Sequence, residues 1–147
     1  MAPVTGQDFR PKDAWYLESR NSYAFRGTWE SIIHNVSTQW VQHITWNDYS
    51  ETTQLSPNSC SGTSFADIAN YYVIWFKTGS PPTILRDAIY YFHRVHSSAA
   101  LPNGQPQNIT FVCKNPLPSD EVEMVSLTRL LTLKIVGQNS ISFRSRS

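Results

Sequence analysis

The sequence predicts an all-β fold: about eight short, mostly antiparallel strands closed into a barrel, with a short N-terminal helix in front. Three observations predict it. β-branched and aromatic residues gather in short runs divided by turn residues. All nine prolines fall outside those runs, as a ladder's need for backbone donors requires. Sustained helical periodicity is nearly absent. The 147 residues form one domain, since domains cluster at roughly 100–150 residues. Closing a barrel removes the exposed strand edges that so many short strands would otherwise leave. A two-sheet sandwich is the rival architecture. A curved sheet packed on helices is a third, and it needs N-terminal helices that the pattern does not supply.

The elements follow in order. Residues 1–25 form an N-terminal arm with one short helix over 12–20, for which Asp13 is a candidate cap. Residues 26–36 (RGTWESIIHNV) and 38–48 (TQWVQHITWND) are the first two strands, joined tightly near Val36–Thr38. The polar, turn-rich stretch 49–66 is a long loop. Residues 70–77 (NYYVIWFK) are the third strand, closed by Thr78-Gly79-Ser80-Pro81-Pro82, and 88–96 (AIYYFHRVH) are the fourth. Residues 107–114 and 121–127 continue the sheet. Residues 129–136 and 139–146 flank Gly137-Gln138, a two-residue hairpin turn with glycine first.

Composition narrows the function. Aromatic residues are 13% and charged residues 16%, which supplies a core and argues against disorder. Twelve Lys+Arg against eleven Asp+Glu leave no field to steer phosphate, so nucleic acid is not an expected partner. No apolar run approaches the roughly 20 residues of a membrane span. The first residues lack the basic and apolar regions of a signal peptide, so the chain reads as cytoplasmic or as a processed mature form. Cys60 and Cys113 read as free thiols rather than a bridge. Two sequons, Asn35-Val36-Ser37 and Asn108-Ile109-Thr110, each lie in or beside a strand-like run. A homodimer is left open.

Gly27-Thr28-Trp29, just after the short helix, resembles the G-x-W signature of lipocalins and the wider calycin superfamily. The resemblance implies an eight-stranded barrel whose base is closed by the helix. It also implies that Trp29 packs inside that base against an arginine of the last strand, Arg144 or Arg146.

Strand alternation assigns faces. Trp40, Gln42, Ile44, Trp46 and Asp48 share one face of the second strand; Trp29, Ile33 and Asn35 share one face of the first. Tyr90, Phe92, Arg94 and His96 align on the fourth, while Leu131, Leu133, Ile135, Ile141 and Phe143 point inward from the last hairpin. The resulting interior is aromatic with a few polar handles, the mix a small-molecule pocket uses. Trp29, Ile33, Asn35, Trp40, Gln42, Ile44, Trp46 and Phe92 are therefore the expected ligand-binding residues, and the expected partner is a small, largely hydrophobic or aromatic molecule. A filled barrel without a ligand is the simpler alternative.

Chemistry is less well marked. Asp48, Tyr90, Arg94 and His96 are the acid–base candidates for a cofactor-free isomerase or cyclase, in which desolvation would raise a carboxylate's pKa. Asn47-Asp48-Tyr49-Ser50 also reads as a solvated strand exit. His93 and His96 stand three apart, on opposite faces of a strand, so no metal is expected there. His34 and His43 are expected across a ladder on the outer face. No G-x-S-x-G and no glycine-rich phosphate loop is present. No cofactor is expected. A protein-interaction sandwich with exposed aromatics is the further alternative.

Overall fold

The apolar period that organises the chain is helical once it is followed from Tyr23. Phe25, Trp29 and Ile32 stand at i, i+4 and i+7, one face of a helix, and α1 (Tyr23–His34) buries all three. Ile68, Ala69 and Tyr72 do the same in α2 (Ser64–Thr78). Gly79 closes α2 in the left-handed region at φ 76°, its N–H donating to Trp75 O at 2.8 Å. The structure, a computed structural model, describes residues 1–101, 104, 108–114 and 120–129.

Seven short strands complete the described residues: β1 (Ala2–Val4), β2 (Asp8–Arg10), β3 (Trp15–Leu17), β4 (Val41–His43), β5 (Ala88–Phe92), β6 (Val112–Cys113) and β7 (Glu123–Leu127). They make three small sheets. β1 pairs parallel with β4, with Val4 opposite His43. β3 lies between an antiparallel β2 and a parallel β6. β5 pairs antiparallel with β7, Tyr90 opposite Val125. Pro3 sits within β1, which a two-stranded sheet tolerates because every strand in it is an edge.

The expected all-β barrel is thus corrected to a mixed α/β fold: the sheets are small and none closes. Residues 26–36 belong to α1, so Gly27-Thr28-Trp29 lies in a helix rather than opening a strand. Residues 70–77 are the second half of α2. The physical reason is the same for both. A short apolar window fits periods of 2 and 3.6 alike, and the residues that decide lie upstream, in Tyr23–Phe25 and Phe65–Ala69. The helix expected over 12–20 is instead a single 3-10 turn, Pro11–Asp13, broken by Ala14 at φ 56° and followed by β3. Of 38–48 only Val41–His43 is strand, and its partner is the N-terminus rather than 26–36. Most of 129–136 and all of 139–146, with the Gly137-Gln138 turn, Arg144 and Arg146, lie outside the described residues.

The core is where α1, α2 and β1 meet. It comprises Val4, Phe25, Trp29, Ile32, Ile68, Ala69 and Tyr72. The Trp29 indole stacks on the Tyr72 ring at 6.0 Å and 5° between planes, and Tyr72 stacks in turn on Trp75 at 6.0 Å. Tyr72 Oη donates to Glu30 Oε1 at 3.1 Å, so its polar tip stays bonded while its ring is buried. A second tie comes from far along the chain. Glu123 Oε2 accepts from Ser22 N (2.6 Å) and Ser22 Oγ (2.8 Å), and Arg26 donates to Glu123 Oε1 at 2.6 Å. A carboxylate from β7 therefore neutralises the positive end of α1 and pins the β5–β7 strand pair to it.

Trp29→Ala is expected to lower unfolding stability by about 3–5 kcal/mol in urea titrations. Trp29→Phe should cost clearly less, because the indole Nε1 is buried without a hydrogen-bond partner and its loss leaves nothing unpaired. Glu123→Gln should cost about 1–2 kcal/mol by the same measurement, through loss of its charge-assisted bonds to Ser22 and Arg26.

Candidate functional site

An open cleft of about 610 Å³ lies among β2, β3, the start of α2 and β5. Its walls are built locally. Asn58 shapes one of them: its Oδ1 accepts from Cys60 N (2.8 Å) and Ser61 N (3.0 Å), while Asn58 N donates to Gly62 O at 3.3 Å. Gly62, at φ 53°, closes that turn just ahead of α2. Phe65, in the first turn of α2, meets Phe92 at 5.4 Å and Phe25 edge-on at 5.5 Å, so one ring belongs to both the cleft wall and the core edge. Gly6 passes close behind: a Cβ there would stand 3.1 Å from Phe65 Cε1.

The opposite wall is β5. Burial alternates along it, with Tyr90 and Phe92 turned in and Ile89 and Tyr91 turned out. Tyr90 Oη donates to Asp67 Oδ2 at 3.2 Å, and burial followed by the Asp67 charge pushes its phenol above the usual tyrosine range. Arg94 extends the same face and donates to Glu18 Oε2; Glu18 is buried and also accepts from Arg20 N at 3.0 Å. Tyr16 adds a further aromatic ring, its phenol pushed up by burial and then by the neighbouring Cys113. The cleft thus sets aromatic rings beside polar and charged groups, among them Asp8 and the Glu18–Arg94 pair.

Tyr90, Phe92 and Arg94 are the sequence-expected residues that meet in the cleft. The rest disperse. Asp48 shapes a turn: its Oδ1 accepts from Ser50 Oγ at 2.7 Å and Glu51 N at 3.3 Å, and the Ser50 hydroxyl first of all holds its pKa below the ordinary carboxylate value. The expected upward shift is reversed because bonds to the charged form outweigh burial. His96 is exposed and outside the cleft. Trp29 is in the helical core with Ile33 packed beside it. Asn35 caps the C-terminal end of α1 and bonds Ser37, so that sequon lies at a helix end rather than in a strand. Gln42 is exposed. Trp40 and Trp46 are 72% and 61% exposed, so neither walls an interior. His34 sits at the end of α1 against Trp75 and does not face His43. Neither Cys60 nor Cys113 is in a disulfide. No group of three His, Cys, Asp or Glu converges as a metal site among the described residues.

Tyr16, Glu18, Cys60, Ser61 and Phe65 were not expected from the sequence. Phe65 carried a usable signal, its helical spacing to Ile68, Ala69 and Tyr72. Tyr16 and Glu18 are placed by partners distant in sequence, Cys113 and Arg94, which no local pattern announces, and Cys60 and Ser61 by the turn at Asn58.

A second void, about 60 Å³, lies beside the cleft, lined in part by Phe25, His43, Ile44 and Gln54. His43 projects from β4 against Trp29 (5.2 Å) and Phe25 (6.2 Å), and its Nε2 is buried with no hydrogen-bond partner. Burial lowers its pKa. The unfolded chain therefore protonates this imidazole at a pH where the folded chain does not. Stability from this group is complete above about pH 6.5, is lost as pH falls through that unfolded value, and levels off below the depressed folded one. Between pH 7.5 and 5, native stability should fall more steeply than that of His43→Gln in parallel urea titrations.

No protein-family model, no curated protein and no solved structure matches this chain. Among the described residues, no helix is long and apolar enough to cross a membrane.

Proposed function

We propose that this chain binds a small aromatic molecule in the cleft between β3, α2 and β5. One observation carries the reading: a 610 Å³ space with Tyr16, Phe65, Tyr90 and Phe92 in its walls and the Glu18–Arg94 pair among its lining residues. Small-molecule sites run from roughly 300 to 1,000 Å³ and combine apolar surface with a few placed polar groups. Flat rings suit a flat ligand, since offset and edge-on contacts add to burial. Glu18 pairs with Arg94 and Asp8 with Arg10, so the carboxylates lining the cleft are neutralised and it favours an uncharged ligand over a strong anion or cation.

The acid–base reading gains no assembled set of groups. Asp48 and His96 lie away from Tyr90 and Arg94, and the Tyr90 phenol is tied to Asp67. Binding is therefore the function proposed, without a reaction.

Titrating 2-naphthol into isotopically labelled protein should move backbone amide signals at Tyr16–Ser19, Cys60–Phe65 and Tyr90–Arg94. Tyr90→Ala and Phe92→Ala should each weaken binding about tenfold, the loss of one aromatic wall. Shifts confined to the exposed Trp40 and Trp46 region, or none at all, would remove the proposal.

A further inference from the structure

We propose that Asn35 is an N-glycosylation acceptor, taking a sugar chain from a polyprenyl-diphosphate-linked donor. The inference stands apart from the cleft reading and assigns a use to the sequon Asn35-Val36-Ser37, which ligand binding leaves idle.

The fold sets this sequon where such a motif has to be, on an exposed turn. α1 ends at His34, and Asn35 leaves it in extended backbone at φ -93° and ψ 94°. Thr38 N then donates to Asn35 O at 2.9 Å and closes the turn. Asn35, Val36 and Ser37 are all exposed. None of them lines the cleft or the smaller void, and none belongs to the core. A bulky group on Asn35 therefore displaces nothing that the fold needs. Val36 is fully exposed and Trp40, just past the sequon, is largely so; a hydrophilic chain on Asn35 would screen that apolar surface.

The side chain is also arranged for the chemistry. Asn35 Oδ1 accepts from Ser37 N at 3.1 Å and from Ser37 Oγ at 2.7 Å. A backbone N–H only donates, so the atom facing it is the oxygen, and Nδ2 is left as the nucleophile. Nδ2 donates to no protein group among the described residues. Two bonds on the oxygen polarise the amide and make its N–H more acidic. In the transfer, Nδ2 attacks the anomeric carbon of the donor sugar. The N–C bond forms as the C–O bond to the diphosphate breaks, its electron pair leaves on the diphosphate, and one Nδ2 proton passes to a base of the transferase. Asn108, in the second sequon, is exposed too, but Thr110 gives it no such bond.

The test uses the full chain purified from the cells that naturally make it. Treatment with a glycan-releasing amidase in heavy-oxygen water should leave a labelled aspartate at position 35, read by mass spectrometry of the proteolytic peptide. Asn35→Gln and Ser37→Ala, made in the same cells, should each lose that label completely, and Ser37→Thr should keep it. Should the two loss variants fail to fold, the label at position 35 of the native chain decides alone. An unlabelled position 35 in the native chain, label on Asn108 alone, or undiminished label in Ser37→Ala would overturn the proposal.

Discussion

The described structure depends on one contact, the face-to-face packing of Trp29 from α1 on Tyr72 from α2. The strands are too short to hold the fold by themselves; the longest run five residues and the sheets have two or three members. Small sheets of this kind need an apolar layer to lie on. The helix pair provides it. Val4 of β1 buries itself against that pair, and its partner strand β4 brings His43 onto the Trp29 indole. Phe25 and Phe65 then carry the packing outward to Phe92. The cleft is the outer edge of the same aromatic network, so its shape follows from the helix–helix contact.

Two carboxylates hold the β5–β7 side in place against that layer. Glu123 reaches the start of α1 and Glu18 meets Arg94 just beyond β5. Both ties converge on residues 18–26, the link from β3 into the first turn of α1. Two anchors at one stretch restrict rotation of the strand pair as well as its separation. Each carboxylate is shielded and multiply bonded, the condition under which an ionised group is tolerated away from water.

Sequence patterns disclosed the parts of this structure whose physics is local. The strand expected over 88–96 forms over Ala88–Phe92, and of the face expected on it Tyr90, Phe92 and Arg94 reach the cleft while His96 does not. Asp48 at a solvated exit was also readable from Asn47-Asp48-Tyr49-Ser50, although its lowered pKa was not. The helices were hidden for opposite reasons. In 70–77 every residue but Asn70 and Lys77 is apolar or aromatic, so no period stands out; in 26–36 the adjacent Ile32 and Ile33 favour a strand on propensity alone. Tertiary burial of Trp29 and Tyr72 overrides that preference. The parallel pairing of β1 with β4 was beyond reach, since nothing within Ala2–Val4 announces a partner some forty residues away.

Gly6 sits where the link from β1 to β2 crosses the edge of the Phe65 ring. Phe65 is at once a cleft wall, a boundary of the smaller void and a neighbour of Phe25. Gly6 lines that smaller void as well, and its lack of a side chain governs how far the ring can swing. Enlarging position 6 by a methyl group would press on a ring that lines both spaces, so the shape of the cleft wall is adjustable from a single backbone position.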